Sequence, residues 1–247
     1  MKIKAIYPDI FEGSKKVKAF FTLKNKHITG NERLISGLNL GFNTNESPEI
    51  VKTNREILVK EFNLDSNWIA FANQVHSNRV KVVANGGTYA DTDALITQVP
   101  GLALAIQVAD CAAVLVADEK AGIVAAIHAG WRGAAGDIVP RSIQKMIDLG
   151  SIPSHCRVFV SPCISQSEFE VGKEVANQFP VQFVNFEENE KPHINLKAFL
   201  QSQLIESGIK PENIQVHDGC TVSNDQFYSY RREGEESGRM MAVISMS

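Results

Sequence analysis

The sequence predicts an α/β or α+β fold: a single layered domain with a mixed central sheet and helices packed on it. Three observations point there. Short apolar runs rich in Val and Ile recur through the middle of the chain, bounded by Gly and Asp. Segments with apolar residues at a 3.6-residue period lie before and after them. No repeat, low-complexity tract or Pro/Ser/Gly-rich linker interrupts the mixture, so residues 1–247 are expected to form one domain.

The first clear element is a helix opened by Ser47-Pro48, with Ser47 as N-cap and Pro48 at the first helical position. Ile50, Val51, Ile57, Leu58 and Phe62 share one of its faces. Asn54 lies within that face and Arg55 at its edge. A polar group buried there must find a partner, and for Asn54 a structural hydrogen bond is the simpler reading. Residues 102–108, 114–117 and 123–127 have the length and β-branched content of buried strands, although their alanines weaken the signal. A helix at 136–148 carries Ile138, Ile143, Met146 and Ile147 and is closed by Gly150 and Pro153. Residues 187–191 read as a charged, solvated loop. Asn195 caps a helix in which Leu196, Phe199, Leu200, Gln203 and Leu204 form a stripe ended by Gly208. Strands recur at 214–217 and 242–245.

Composition narrows the function classes. A hydrophobic fraction of 44% against 21% charged residues is that of a folded globular chain. A net charge of −3 and a pI near 6.1 exclude the basic excess of a nucleic-acid or membrane-surface binder. The longest apolar runs are too short to span a bilayer, and residues 1–11 hold no signal-peptide core. Four cysteines do not make a disulfide scaffold. The expected setting is the cytoplasm.

Three polar groups interrupt apolar strand ends: His76, Cys111 and His128. Strand ends present side chains to a cleft, so residues distant in sequence can converge there. Two imidazoles and a thiol form a ligand set for Zn²⁺ or copper, with a fourth position left open. Their spacing matches no metal motif, and a buried cysteine with two ordinary histidines is the plainer reading of composition alone. A Cys–His nucleophilic pair, with Cys111 as nucleophile and His128 as base, is the other functional reading. Cys156, Cys163 and Cys220, with His27, His155, His193 and His217, lack this context and read as structural or surface residues.

Gln74-Val75-His76, Ala109-Asp110-Cys111 and His128-Ala129-Gly130-Trp131-Arg132-Gly133 resemble the signature blocks of the YfiH-type family, also called the polyphenol-oxidase or laccase-domain family. Leu38-Asn39-Leu40-Gly41, Asn54-Arg55, Ala90-Asp91 through Thr97, Ser161-Pro162-Cys163-Ile164, Cys220-Thr221, Tyr230-Arg231-Arg232 and Gly238-Arg239 follow in the family's order. The resemblance runs from about residue 20 to the C-terminus. It implies a single α/β domain with a metal held by His76, Cys111 and His128. It further implies a purine nucleoside phosphorylase acting on adenosine, inosine and methylthioadenosine, with adenosine deaminase activity. An older family label is copper-dependent polyphenol oxidase, and one bacterial branch is linked to editing of peptidoglycan precursors. One departure stands out: Thr22-Leu23-Lys24 replaces the usual Thr-Arg, so Lys24 keeps a cation but loses the bidentate fork.

The expected cofactor is Zn²⁺, with copper as the alternative at the same site. The expected partners are a purine nucleoside and phosphate, with neither nucleic acid nor membrane. Deamination needs a carboxylate to carry protons; Asp110, beside Cys111, is the nearest in sequence and Asp93 the second candidate. Phosphorolysis needs cations and N–H donors around phosphate. Arg55 and Arg132 are the candidates, the loop at 130–136 offers donors, and Asn54, Gln74 and Lys24 are expected substrate contacts. Arg232 and Arg239 read equally well as surface charges. The metal requirement of phosphorolysis rests on the resemblance alone. Six histidines are too few for a multi-copper cluster, which disfavours a conventional laccase. The non-enzyme alternative is a metal-stabilised binding module.

Overall fold

A computed structural model describes residues 2–30, 32–186 and 191–247, so most of the charged loop expected at 187–191 lies outside the described residues. The strands are β1 (Ala5–Ile6), β2 (Val17–Thr22), β3 (Ile69–Ala72), β4 (Val80–Val82), β5 (Gly87–Tyr89), β6 (Ala94–Thr97) and β7 (Ala103–Val108). They continue with β8 (Ala112–Asp118), β9 (Ile123–Ala129), β10 (Arg157–Val160), β11 (Val184–Asn185), β12 (His193–Ile194), β13 (Ile214–Val216) and β14 (Met240–Met246). The α-helices are α1 (Pro48–Glu61), α2 (Trp131–Ala135), α3 (Ile138–Asp148), α4 (Lys173–Ala176), α5 (Leu196–Glu206) and α6 (Tyr230–Glu233).

The fold is mixed α/β, and its mixed sheet is divided in two. One six-stranded sheet runs β1-β2-β14-β7-β3-β5 and the other β13-β10-β8-β9-β6-β4, each with parallel and antiparallel pairs. The central strands are apolar on both faces because both faces are covered. In β7, Leu104, Ile106 and Val108 face the second sheet, while Ala103 and Ala105 face α1 and the segment bearing Leu38 and Leu40. In β9, Val124 and Ala126 face the first sheet, and Ile123, Ala125 and Ile127 face α3 and α5. The layers are therefore helix, sheet, sheet, helix. The alanines that weakened the strand signal sit where these layers pack closely.

The helices follow their sequence signals with two differences. Asn195 caps α5 by accepting from Ala198 N at 3.1 Å, as expected. Ser47 occupies the N-cap position of α1 but does not cap it. Its hydroxyl donates instead to the Glu49 carboxylate at 2.6 Å. The helix expected from residue 136 starts at Ile138, because Asp137 at φ +64° separates it from the short α2. Gly150, at φ +102°, closes it. Among the described residues no helix is long and apolar enough to cross a membrane.

Candidate active site

Two of the expected ligands lie where the chain crosses between the two sheets, and the third lies near the end of β9. His76 follows β3 on the way to β4, and Cys111 follows β7 on the way to β8. The register of β8 on β9 pairs Ala113 with His128. Cys111, two residues before Ala113, projects to the same face as His128. The ligand atoms of His76, Cys111 and His128 all lie within 4.8 Å of one another, and the two rings meet edge-on at 4.9 Å. A Cβ at Gly130 would stand 2.9 Å from Cys111 Sγ and 3.2 Å from His76 Cδ2, so only glycine lets the backbone pass this close to the cluster.

Asp93 organises the cluster from beneath. It is fully buried, and its Oδ1 lies 2.8 Å from His128 Nδ1 while accepting from His76 N at 3.0 Å. Its Oδ2 accepts from Ser77 N at 2.8 Å and Ser77 Oγ at 2.6 Å. Burial would raise its pKa, but the bonds to His128 and Ser77 outweigh this and bring it down to about 2. Asp93 is therefore a fixed anion behind the site, an arrangement that fixes the tautomer of His128 and leaves Nε2 for a metal. Burial likewise opposes ionisation of Cys111, yet the charge of His128 and hydrogen bonds from both imidazoles hold its thiol below the usual range. An oriented imidazole, a second imidazole and a thiol already biased toward thiolate fit Zn²⁺ or copper.

The cluster floors a cleft of about 570 Å³. Its walls include Phe42, Phe71, Trp131, Phe169 and Tyr230, and Arg55, Arg231 and Arg239 line it. Arg55 donates from Nε and Nη2 to Leu40 O at 3.0 and 2.8 Å, with its guanidinium 4.4 Å from the Phe42 ring and 4.5 Å from that of Phe71. Burial lowers its pKa to about 10, so it remains a cation. Arg231 donates to the carbonyls of Glu168 and Glu170, and Arg239 to those of Ser237 and Gly238. Among the described residues none of these three guanidiniums forms a salt bridge with a carboxylate. Asp110, at φ +77°, also lines the cleft, accepting from Thr221 Oγ1 and from Arg231 N, each at 2.6 Å.

Other expected contacts fall elsewhere. Asn54 is sealed inside, donating to Asn39 O at 2.7 Å and accepting from Arg33 at 2.8 Å, which is the structural hydrogen bond anticipated for it. Lys24 pairs with Glu233 at 2.6 Å and does not line the cleft. Arg132 is exposed, lies over its neighbour Trp131 and does not line the cleft either. Gln74 does line it, but its amide exchanges hydrogen bonds with the Gln107 backbone at 2.7 and 2.8 Å. Arg232 is structural, donating to Thr221 O, Val222 O and Phe227 O. Arg239, weighed as a surface charge, belongs to the cleft. Arg231 and the aromatic walls carried no periodic or spacing signal. The ordered blocks Tyr230-Arg231-Arg232 and Gly238-Arg239 were the available clue.

Residues 18–247 match the family described as multi-copper polyphenol oxidoreductase laccase. The chain belongs to this family. Its relatives include a purine nucleoside phosphorylase of Deinococcus radiodurans, 36% identical over 85% of this chain and 83% of that protein. Adenosine deaminase RL5, from an unknown prokaryotic organism, is 30% identical over 92% of this chain and 93% of its own length. The crystal structure of Bacillus licheniformis YfiH superposes with a TM-score of 0.88 at 27% identity, covering 94% of this chain and 93% of that one. The laccase family takes its description from several coppers, yet among the described residues His76, Cys111 and His128 are the only such group of His, Cys, Asp and Glu able to hold a metal.

Proposed function

We propose that the protein is a metal-dependent purine nucleoside phosphorylase for adenosine, inosine and methylthioadenosine, with adenosine deaminase activity at the same site. This reading rests on the cleft, where a His-Cys-His ligand set lies beside guanidiniums that are held by carbonyls and, among the described residues, form no salt bridge with a carboxylate. Such cations retain their charge for an incoming anion, and phosphate suits the planar guanidinium fork. The names borne by the relatives point the same way.

His76, Cys111 and His128 would hold the metal, with Zn²⁺ our assignment and copper the alternative. When bound, such an ion acts as a Lewis acid and makes water a stronger nucleophile at neutral pH. Arg55 holds phosphate or the ribose, with Arg231 and Arg239 adding positive potential. Aromatic faces at Phe42, Phe71 and Tyr230 offer stacking surfaces to the purine. Asp110 carries protons in deamination, since Asp93 is sealed behind His128. The protein works as a single catalytic domain in the cytoplasm.

The test is product analysis with and without phosphate. Adenosine plus phosphate should give adenine and ribose 1-phosphate, and adenosine alone should give inosine. Base release that is indifferent to phosphate would overturn phosphorolysis. One observation favours a second reading: Cys111, His128 and Asp93 also form a nucleophile–base–orienter line. Rapid alkylation of Cys111 in metal-loaded protein would favour that hydrolase reading, including a peptidoglycan-editing one.

A further inference from the structure

Two thiols outside the ligand set are paired beside it. Cys163 and Cys220 form an isolated parallel bridge between the segment after β10 and the loop after β13, with Thr221 N donating to Cys163 O at 3.2 Å. Bridged residues project to the same side, and adjacent strands lie about 4.8 Å apart, inside the roughly 4.4–6.8 Å between Cα atoms that a disulfide spans.

The two sulfurs are unlike in reactivity. Cys163 is fully buried, and burial pushes its thiol up to about 12. Cys220 is partly exposed, and its sulfur accepts from Ser165 Oγ at 3.1 Å and Ser165 N at 3.4 Å. Burial opposes its ionisation, but these bonds and those from Ser223 bring it down to about 7. One cysteine meets solvent with its thiol biased toward the thiolate; the other lies behind it as a thiol.

We propose that Cys163 and Cys220 form a reversible disulfide when the protein meets a peroxide. The Cys220 thiolate attacks one peroxide oxygen, the O–O bond breaks, and hydroxide leaves while Cys220 becomes a sulfenic acid. The Cys163 sulfur then attacks the Cys220 sulfur, the S–O bond breaks, and the hydroxyl leaves as water with the Cys163 proton. Two thiols are oxidised to a disulfide, and the peroxide is reduced by the same two electrons to water. The pair is placed to affect the cleft. Ile164 N donates to Asp110 O at 3.0 Å and Thr221 Oγ1 to Asp110 Oδ1 at 2.6 Å, so the bond would clamp the two segments that hold Asp110.

The test treats full-length, zinc-loaded protein with hydrogen peroxide, blocks the remaining thiols and maps tryptic peptides. Trypsin places Cys163 in 158–173, Cys220 in 198–231, Cys111 in 82–120 and Cys156 in 146–157, so each thiol is read separately. The expected product joins 158–173 to 198–231, weighs two hydrogens less than their sum and disappears with a dithiol reductant. In Cys163→Ser, dimedone should trap the sulfenic acid at Cys220. Over-oxidation of Cys220 while Cys163 stays reduced, a linkage through Cys111, or no reaction at either thiol would overturn the proposal.

Discussion

At the residue scale, Asp93 governs the ligand cluster, because one buried carboxylate orients His128 and anchors the turn that carries His76. Removing such a support costs metal affinity about 10–100-fold in comparable sites. Asp93→Asn should weaken zinc binding by about that factor in a competition titration, and Cys111→Ser should lose most of the bound metal. An Asp93→Asn protein that binds zinc as tightly as wild type would remove Asp93 from this role. Arg55 is tested by kinetics. Its Nε and Nη2 already hold Leu40 O, so lysine in its place loses both that anchor and the fork. Arg55→Lys should raise the phosphate KM and lower kcat/KM for phosphorolysis while deamination falls much less. If both activities fell together with the melting temperature, Arg55 would be structural. The residues legible in sequence were those that interrupt apolar strand ends. Asn54 showed on its helix face only that it needed a partner, and the partner proved to be Asn39 and Arg33. Arg239 looked like any charged residue, because only the tertiary fold turns it into the cleft.

At the element scale, the β8–β9 register is what brings Cys111 to His128, and the tight turns at strand ends keep it. Runs of Val, Ile and Leu marked these strands well, since strands covered on both faces are apolar throughout. The pairing that divides them into two sheets was not legible. Strand order depends on contacts between residues far apart in sequence, which a hydrophobic pattern does not encode. The end of β8 supplies its own test. Asp118 is fully buried, accepting from Lys120 N and Ala121 N at 3.0 and 3.1 Å and from Ser151 Oγ and Ile152 N at 2.8 and 3.0 Å. Burial opposes its ionisation, but these bonds, Ile152 N foremost, hold its pKa below the usual value. A carboxylate depressed in the folded state stabilises the fold above its unfolded pKa, near 3.9, and that contribution is lost as pH falls through the folded value. Asp118→Asn should therefore cost about 1–3 kcal/mol in urea unfolding at pH 7. Its deficit relative to wild type should shrink below about pH 4. A deficit that does not change with pH would mean the carboxylate charge contributes nothing.

At the scale of the whole molecule, the two sheets share a core built from Phe21, Leu104, Ile106 and Ile244 on one side and Leu95, Leu115, Val124 and Phe159 on the other. The His76, Cys111 and His128 group lies at the margin of this shared core, where Ala109 and Cys111 pack against it. Ligand binding should thus be felt as global stability. At zinc 100-fold above its dissociation constant the gain is about 2.7 kcal/mol. For a chain of this size that raises Tm by about 5–10 °C. Cys111→Ser should show little of this rise. If the His76, Cys111 and His128 site holds the metal on which phosphorolysis depends, titrating chelator-stripped protein with zinc should switch on the formation of ribose 1-phosphate from adenosine and phosphate. The rate should climb from near zero and level off at about one zinc per chain, with Cys111→Ser flat throughout. Full activity in stripped protein, or in Cys111→Ser, would contradict it.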